Sequence, residues 1–289
     1  MLFSYEEIRK ATGALPVNAF SGQGVRSITT DSRKPSPDSL FLAIPGETFD
    51  GHNYLADALA NGATLLCVEK KSRAKLPPGA PALLVDSTVT ASQQLPAFHR
   101  KRCGVKTIAL TGSSGKTSTK EMLRAIFEHV FGKDAVLATE GNTNNQIGVP
   151  QNLLRLTPRH RFCILEMGTN HPGEIEPLAV AAEPDAGLIV SIGRCNLEFL
   201  GSLEGVAREK SALFRHLQPK GTAIIPAHSA GLECMIQAAE GHPILFFGPG
   251  ADFEAAYLGG NIRGSSFELI EKRTGKRALV EWSLCGAHQ

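Results

Sequence analysis

Long apolar runs are missing from this 289-residue chain. Its longest, such as "AVAA" and "GLIVSIG", fall far short of the roughly 20 residues that span a bilayer, so no membrane insertion is expected. The start, "MLFSYEEIRKATG", carries acids in an amphipathic pattern and lacks the apolar core of a secretory signal. A cytoplasmic protein is expected. Charge of one sign is also missing: 30 Lys and Arg against 28 Asp and Glu leave a formal net charge of +2. That balance gives no reason to expect nucleic acid or an anionic membrane surface as partner. The six cysteines (Cys67, Cys103, Cys163, Cys195, Cys234 and Cys285) are scattered without a C-x-x-C pair, so buried, reduced thiols are expected. No repeat or low-complexity tract is visible.

What is present is ordinary for a globular protein, with 42% apolar and 20% charged residues, and the length suits two domains. To about residue 85 the chain reads as a small α/β unit. "SYEEIRKATG" is a helix with Ser4 as N-cap and Gly13 past its end. "RSITTDSRK" and "DSLFLAIPG" are strand-like, "YLADALANGA" is a helix, and "TLLCVEK" and "ALLVDS" are strands separated by the Pro/Gly breaker "KLPPGAP". The domain boundary is expected near residues 85–104, with domains over 1–85 and 86–289. From Lys106 strands alternate with longer helices: "KTIALTG", "RFCILEMG", "AGLIVSIG", "GTAIIPAH" and "PILFFGPG" are strands. "KTSTKEMLRAIFEHVFG", with Met122, Leu123, Ile126, Phe127 and Val130 on one face, "EIEPLAVAAEP" and "LEGVAREKSALFRHL" are helices. Such alternation predicts a doubly wound, mostly parallel sheet. After Phe253 the pattern becomes a meander, with two strands joined at Thr274-Gly275.

In "LTGSSGKTSTKEM" an apolar strand runs into a small, Gly-containing turn and Lys116 opens a helix. Backbone N–H groups and a helix N-terminus then face an anion, with the Lys ammonium to neutralise it. Thr111, Gly112, Ser113, Ser114, Gly115, Lys116, Thr117 and Ser118 form this phosphate loop, and Thr117 can offer a hydroxyl to Mg²⁺. The loop departs from the usual spacing, since Leu110 stands where a first Gly is expected. Glu166 ends an apolar strand at the edge where open α/β sheets bind ligands, as either a metal ligand or an exposed strand-end carboxylate. Lys210, on a helix, reads by itself as a solvated lysine. The Asn cluster of "GNTNNQIGVP" (Asn142, Asn144, Asn145) suits a turn or a polar ligand equally. His52 in "FDGHNY" and His171 in "TNHPGEIE" lie on turn-like stretches, where exposure is the commoner state.

Together, "TTDSRKPSPDSLFLAIPGETFDGHNYLADALANGA", "LTGSSGKTSTKEM", "GNTNNQIGVPQNLLRL", "ILEMGTNHPGEIE" and "NLEFLGSLEGVAREKSALF" resemble the Mur ligase family, the ATP-dependent amide-bond ligases of peptidoglycan precursor synthesis. "NTNNQIGVP" and "MGTNHPGEI" favour the branch that adds D-Ala-D-Ala to a UDP-N-acetylmuramoyl-tripeptide. The resemblance implies a small N-terminal α/β domain that binds the UDP-sugar, then a P-loop ATPase domain, in a monomer of the bacterial cytoplasm. It makes Lys116 the ATP phosphate ligand and assigns Mg²⁺ to Thr117, Glu166 and a carbamylated Lys210. Asn196 stands where the family usually has a His ligand of a second Mg²⁺. Asp31, Ser32, Arg33, Asp50, His52, Asn142, Asn144, Asn145 and His171 become substrate-binding candidates. Pro226 and His228 replace the more usual Asn and Asp. The family continues beyond the point where "CGAHQ" ends, through the rest of the ATPase domain and an acceptor-binding third domain, so this chain alone is expected to be incomplete. A non-catalytic homologue that binds UDP-muramoyl-peptide or nucleotide, and a related ligase with another amine acceptor, are the alternatives.

Overall fold

The structure is a computed structural model and describes residues 1–46 and 49–283. Two compact units emerge from its contacts: residues 1–102 with 153–155, and residues 103–152 with 156–289. The division falls at the far end of the 85–104 interval, because the helix after residue 85 groups with the first unit.

The first unit runs β1 (Phe3–Ser4), α1 (Tyr5–Thr12), β2 (Leu15–Val17), β3 (Gly24–Val25), β4 (Ser27–Thr29), β5 (Ser39–Leu42), α2 (Leu55–Ala60), β6 (Ala63–Glu69), β7 (Ala82–Val85) and α3 (Thr88–Cys103). The α1 start is a capping box: Glu7 N–H donates to Ser4 Oγ and Ser4 N–H donates to the Glu7 carboxylate. The main sheet has the order β2-β7-β6-β5-β4, parallel except for the antiparallel β2–β7 pair. Successive strand residues face opposite ways, so Leu40, Leu65 and Leu83 enter one core with Phe3, Ile8 and Leu95. Phe41, Leu66 and Leu84 enter the other with Leu55. Both faces are covered, which explains the continuous apolar runs.

The second unit runs β8 (Lys106–Thr111), α4 (Lys116–Phe131), β9 (Val136–Ala138), α5 (Gly148–Leu154), β10 (Phe162–Glu166), α6 (Ile175–Ala182), β11 (Ala186–Ile189), α7 (Leu197–Leu200) and α8 (Leu203–Ser211). It continues with β12 (Thr222–Pro226), α9 (Leu232–Ala238), β13 (Ile244–Phe247), β14 (Phe253–Asn261), β15 (Gly264–Glu271) and β16 (Lys276–Trp282). Its sheet has the order β16-β15-β14-β13-β12-β11-β8-β10-β9, parallel from β9 to β14 and antiparallel beyond. From β8 the chain winds to β9 and back to β10, then crosses β8 to continue at β11. The reversal brings the carboxyl ends of β8, β10 and β11 together, where an open α/β sheet forms its ligand crevice.

Several expectations need correction. On α4, Leu123 and Phe127 pack against the sheet beside Leu110 and Ile164, but Ile126 and Val130 are 58% and 61% exposed. The helix is amphipathic along a narrower stripe than its apolar spacing suggests. "LEGVAREKSALFRHL" is α8 followed by a 3₁₀ turn, Ala212–His216. The meander has three strands, not two, since β14 pairs with β15. Cys67 and Cys163 are buried as expected, whereas Cys103, Cys195 and Cys234 are only half-buried. Cys285 and the rest of "CGAHQ" lie outside the described residues, as do Glu47 and Thr48 of the "ETFDGHN" stretch. No described helix is long and apolar enough to cross a membrane.

Candidate functional site

The loop between β8 and α4 is built by its neighbour β11. Ser113 N–H donates to Ser191 O (2.9 Å) and Ser114 N–H to Ser191 Oγ (3.0 Å), while Gly193 N–H donates to Ser113 Oγ (2.8 Å). Gly115 turns the chain into α4 with φ +78°, and a Cβ there would stand 3.2 Å from Val190 Cγ1. Glycine meets both demands. No side chain caps α4, so its first N–H groups are free to meet an anion. Lys116 folds back and donates to Gly112 O at 2.8 Å. Thr111 is buried at the end of β8, and Thr117 and Ser118 are exposed on the first turn of α4.

Glu166 ends β10 and is 2% exposed, so the exposed strand-end reading falls. Its carboxylate accepts from Thr117 Oγ1 (3.0 Å) and from Asn144 Nδ2 (2.8 Å). Its N–H donates to Thr139 Oγ1 (3.0 Å), and the buried Lys120 ammonium holds Thr139 O at 2.8 Å. Among the described residues no basic side chain pairs with Glu166, so these two donors are what its buried carboxylate has. Asn144 also accepts Gly168 N–H on its backbone oxygen. Asn145 Oδ1 takes the N–H groups of Ile147 and Gly148. Asn142 is exposed in the preceding turn. Within the Asn cluster, then, Asn145 shapes the backbone of the turn and Asn144 reaches the carboxylate.

A cavity of about 530 Å³ opens here, lined by Gly112, Ser113, Lys116, Asn144, Asn145, Glu174, Cys195, Asn196 and Lys210 among others. Lys210 is 1% exposed, and its ammonium makes no hydrogen bond or ion pair among the described residues. The solvated-helix reading of this lysine is therefore wrong. Burial pulls its ammonium down to about 8; Cys195 opposes the fall, Lys116 reinforces it and Glu209 opposes it. Asn196 sits at φ 51° and donates Nδ2 to Thr169 O at 2.6 Å, leaving its carbonyl oxygen for a ligand. A larger, mostly apolar hollow of about 690 Å³ beside β13–β16 contains none of the candidate residues.

Two carboxylates that sequence reasoning passed over shape the far wall. Glu209, on α8, accepts N–H groups from Gly173 (2.7 Å), Glu174 (3.0 Å) and Ile175 (2.9 Å), capping α6 from another helix. Glu174 accepts from Asn170 N–H and His171 N–H. Burial pushes the Glu174 carboxyl up, but these backbone donors outweigh it and hold it below the usual range. The Asn170-to-Glu174 spacing was a local clue to this turn. Glu209 had none, because its partners lie 34–36 residues away. His171 is exposed as expected, its ring 4.2 Å from that of Phe199.

In the first unit, Arg33 pairs with Asp31 at 2.8 Å on an exposed turn, and Ser32 O accepts from Asn61 Nδ2. The hydrogen bonds from Arg33 hold the Asp31 carboxyl well below its usual range. His52 departs from expectation. It is buried, with Nδ1 donating to Asp50 Oδ1 (2.6 Å) and Nε2 accepting Glu69 N–H (3.1 Å). Both ring nitrogens are engaged by the protein, so His52 braces the segment that carries Asp50.

Residues 110–289 match the Mur ligase middle domain and residues 24–108 the Mur ligase family catalytic domain. The chain is 41% identical over 247 residues to the UDP-N-acetylmuramoyl-tripeptide–D-alanyl-D-alanine ligase of Haemophilus influenzae, covering 85% of this chain and 53% of that protein. It superposes on MurF from Acinetobacter baumannii with a TM-score of 0.87 at 34% identity, over 99% of this chain and 62% of that one. It also matches the MurF ligase of Thermotoga maritima in complex with ADP, with a TM-score of 0.73 at 27% identity, over 89% and 58% of the two chains. The chain spans about half the length of the curated relatives it matches.

Proposed function

This chain belongs to the Mur ligase family, and we propose that it carries the nucleotide and UDP-sugar ends of an ATP-driven amide ligation. In that reaction the carboxylate of a UDP-N-acetylmuramoyl-tripeptide attacks the γ-phosphate of ATP, giving an acyl phosphate and ADP. The amine of D-Ala-D-Ala then displaces phosphate. The observation that carries the reading is the contact of Thr117 and Asn144 with the buried Glu166 carboxylate, beside Lys116 and the bare α4 N-terminus. Lys116 and the α4 N–H groups hold the phosphate oxygens and offset charge as it spreads during transfer. Asp31, Ser32, Arg33 and Asp50 are the candidates to contact the UDP-sugar, with His52 bracing Asp50.

The donor set fits Mg²⁺. No group of three or more His, Cys, Asp or Glu side chains forms a cage among the described residues, and Mg²⁺ is commonly held by one or two carboxylates together with substrate phosphates. Thr117 and Glu166 would hold it, joined by Lys210 once carbamylated and by the Asn196 carbonyl. When bound, the ion supplies positive charge to the phosphate oxygens. A buried amine lowered to about 8 has a neutral fraction able to take up CO₂, and the resulting carbamate converts a cation into an anionic oxygen ligand. The same reading takes the bacterial cytoplasm as its location and a monomer as its working form.

Calorimetric titration tests the reading. MgADP should bind, and Lys116→Ala should abolish the binding without unfolding the protein. UDP-muramoyl-tripeptide should bind separately. Folded protein that binds no nucleotide would overturn the reading, and nucleotide binding without UDP-muramoyl-tripeptide binding would remove the substrate assignment.

A further inference from the structure

Cys195 is the one thiol that lines the 530 Å³ cavity among the described residues. It is half-buried, and its Sγ lies 3.1 Å from Ser113 Oγ, so the thiol touches the phosphate loop itself. Ser113 Oγ is in turn held by the N–H of Gly193, two residues before the thiol. The same cavity is lined by the ammonium groups of Lys116 and Lys210 and by one carboxylate, Glu174, so cations outnumber anions on its wall. Lys210, 99% buried by its 1% exposure, has no acceptor of its own among the described residues. Cys195 stands near enough to act on the Lys210 charge. Two ammonium groups in a low-dielectric recess, one of them without an ion-pair partner among the described residues, gather anions, and the half-buried thiol is set where they would arrive.

We propose that Cys195 is a modification site, its thiol exchanging with anionic disulfides that the cavity's ammonium groups draw in. In the exchange the Cys195 sulfur bonds to one sulfur of the disulfide, and the S–S bond of the reagent breaks. The other half departs as a thiolate with the electron pair, and the thiol proton passes to solvent. The attached group then fills the space beside Gly112, Ser113 and Lys116. The other described thiols offer no such setting: Cys67 and Cys163 are 0% exposed, and Cys103 and Cys234 do not line the cavity. That the adduct excludes nucleotide rests on the phosphate reading above, whereas the modification itself does not.

The test uses dithiobis-nitrobenzoate, which carries two carboxylates, and neutral dithiodipyridine, in bicarbonate-free buffer with peptide mapping. For each thiol the rate with the anionic reagent is divided by the rate with the neutral one. This ratio should be about tenfold or more higher at Cys195 than at Cys103 and Cys234. It should collapse in high salt and in Lys210→Met. Equal ratios at the three thiols, or an unlabelled Cys195, would overturn the proposal. In a variant with Cys103, Cys234 and Cys285 changed to Ala, labelling should abolish MgADP binding and dithiothreitol should restore it. Labelled protein that still binds MgADP would remove the blocking role. Unlabelled protein that fails to bind MgADP would sink the nucleotide reading instead, and the rate ratios would still decide the fate of Cys195.

Discussion

Thr117 Oγ1 donates to Glu166 Oε2 at 3.0 Å across 49 residues of chain. The contact ties the first turn of α4 to the end of β10 and points one hydroxyl and one carboxylate at the same spot. Glu166→Gln keeps the shape and removes the charge. It should leave the melting temperature nearly unchanged and weaken MgADP binding by about tenfold or more, the size of one charge-assisted contact. ADP binding measured in a chelator should be untouched. Equal weakening with and without the metal would sink the metal role of Glu166.

Lys210 sets a pH dependence. Burial lowers its ammonium from 10.5 to about 8 in the folded protein. Below about 8 both folded and unfolded states are protonated, and the cost of burying the charge is carried in full. Between about 8 and 10.5 the unfolded state binds more protons, so stability rises with pH. Lys210→Met removes this effect. The melting-temperature deficit of wild type relative to Lys210→Met should therefore shrink as pH is raised through that window. A constant difference would refute the assignment.

His52 and Arg33 should separate stability from binding. His52→Ala removes a buried ring and leaves the Glu69 N–H without its acceptor, costing roughly 2–4 kcal/mol in stability. Arg33→Ala, on an exposed turn, should leave the melting temperature in place and weaken UDP-muramoyl-tripeptide binding by about tenfold. Thermal melts and titrations on the same two variants check both halves. A stable His52→Ala protein, or unchanged binding by Arg33→Ala, would break the division of roles.

Glu209 caps α6 from a different helix. Glu209→Ala should cost about 1–2 kcal/mol, as losing a helix cap with its charge does, and Glu209→Gln should recover part of the loss because the amide oxygen still accepts. The midpoint of denaturant unfolding measures both. Identical midpoints for wild type and Glu209→Ala would show that the three N–H groups need no carboxylate.

Much of this was legible in the sequence because the forces behind it are local. The capping box at Ser4 and Glu7, the turn at Gly115 and the apolar strands on either side act within a few residues, so spacing and residue type reveal them. The loop between β8 and α4 was readable for the same reason: strand, small turn and helix are consecutive. The α4 stripe was overread, because apolar spacing marks a helical face without telling how much of it the sheet covers. Ile126 and Val130 fall beyond that cover.

What the chain determined by itself was the order of its elements and the residue types at their ends. Tertiary structure alone decided which ends meet. The crossing of β8 between β10 and β11 brings Asn144 and Thr117 to Glu166 over separations of 22 and 49 residues, and packing of α8 buries a Lys210 that helical spacing had left in solvent. His52 likewise turned from a turn histidine into a buried brace once Asp50 and Glu69 closed on it. Burial and charge pairing are sums over distant neighbours, and no local pattern carries them.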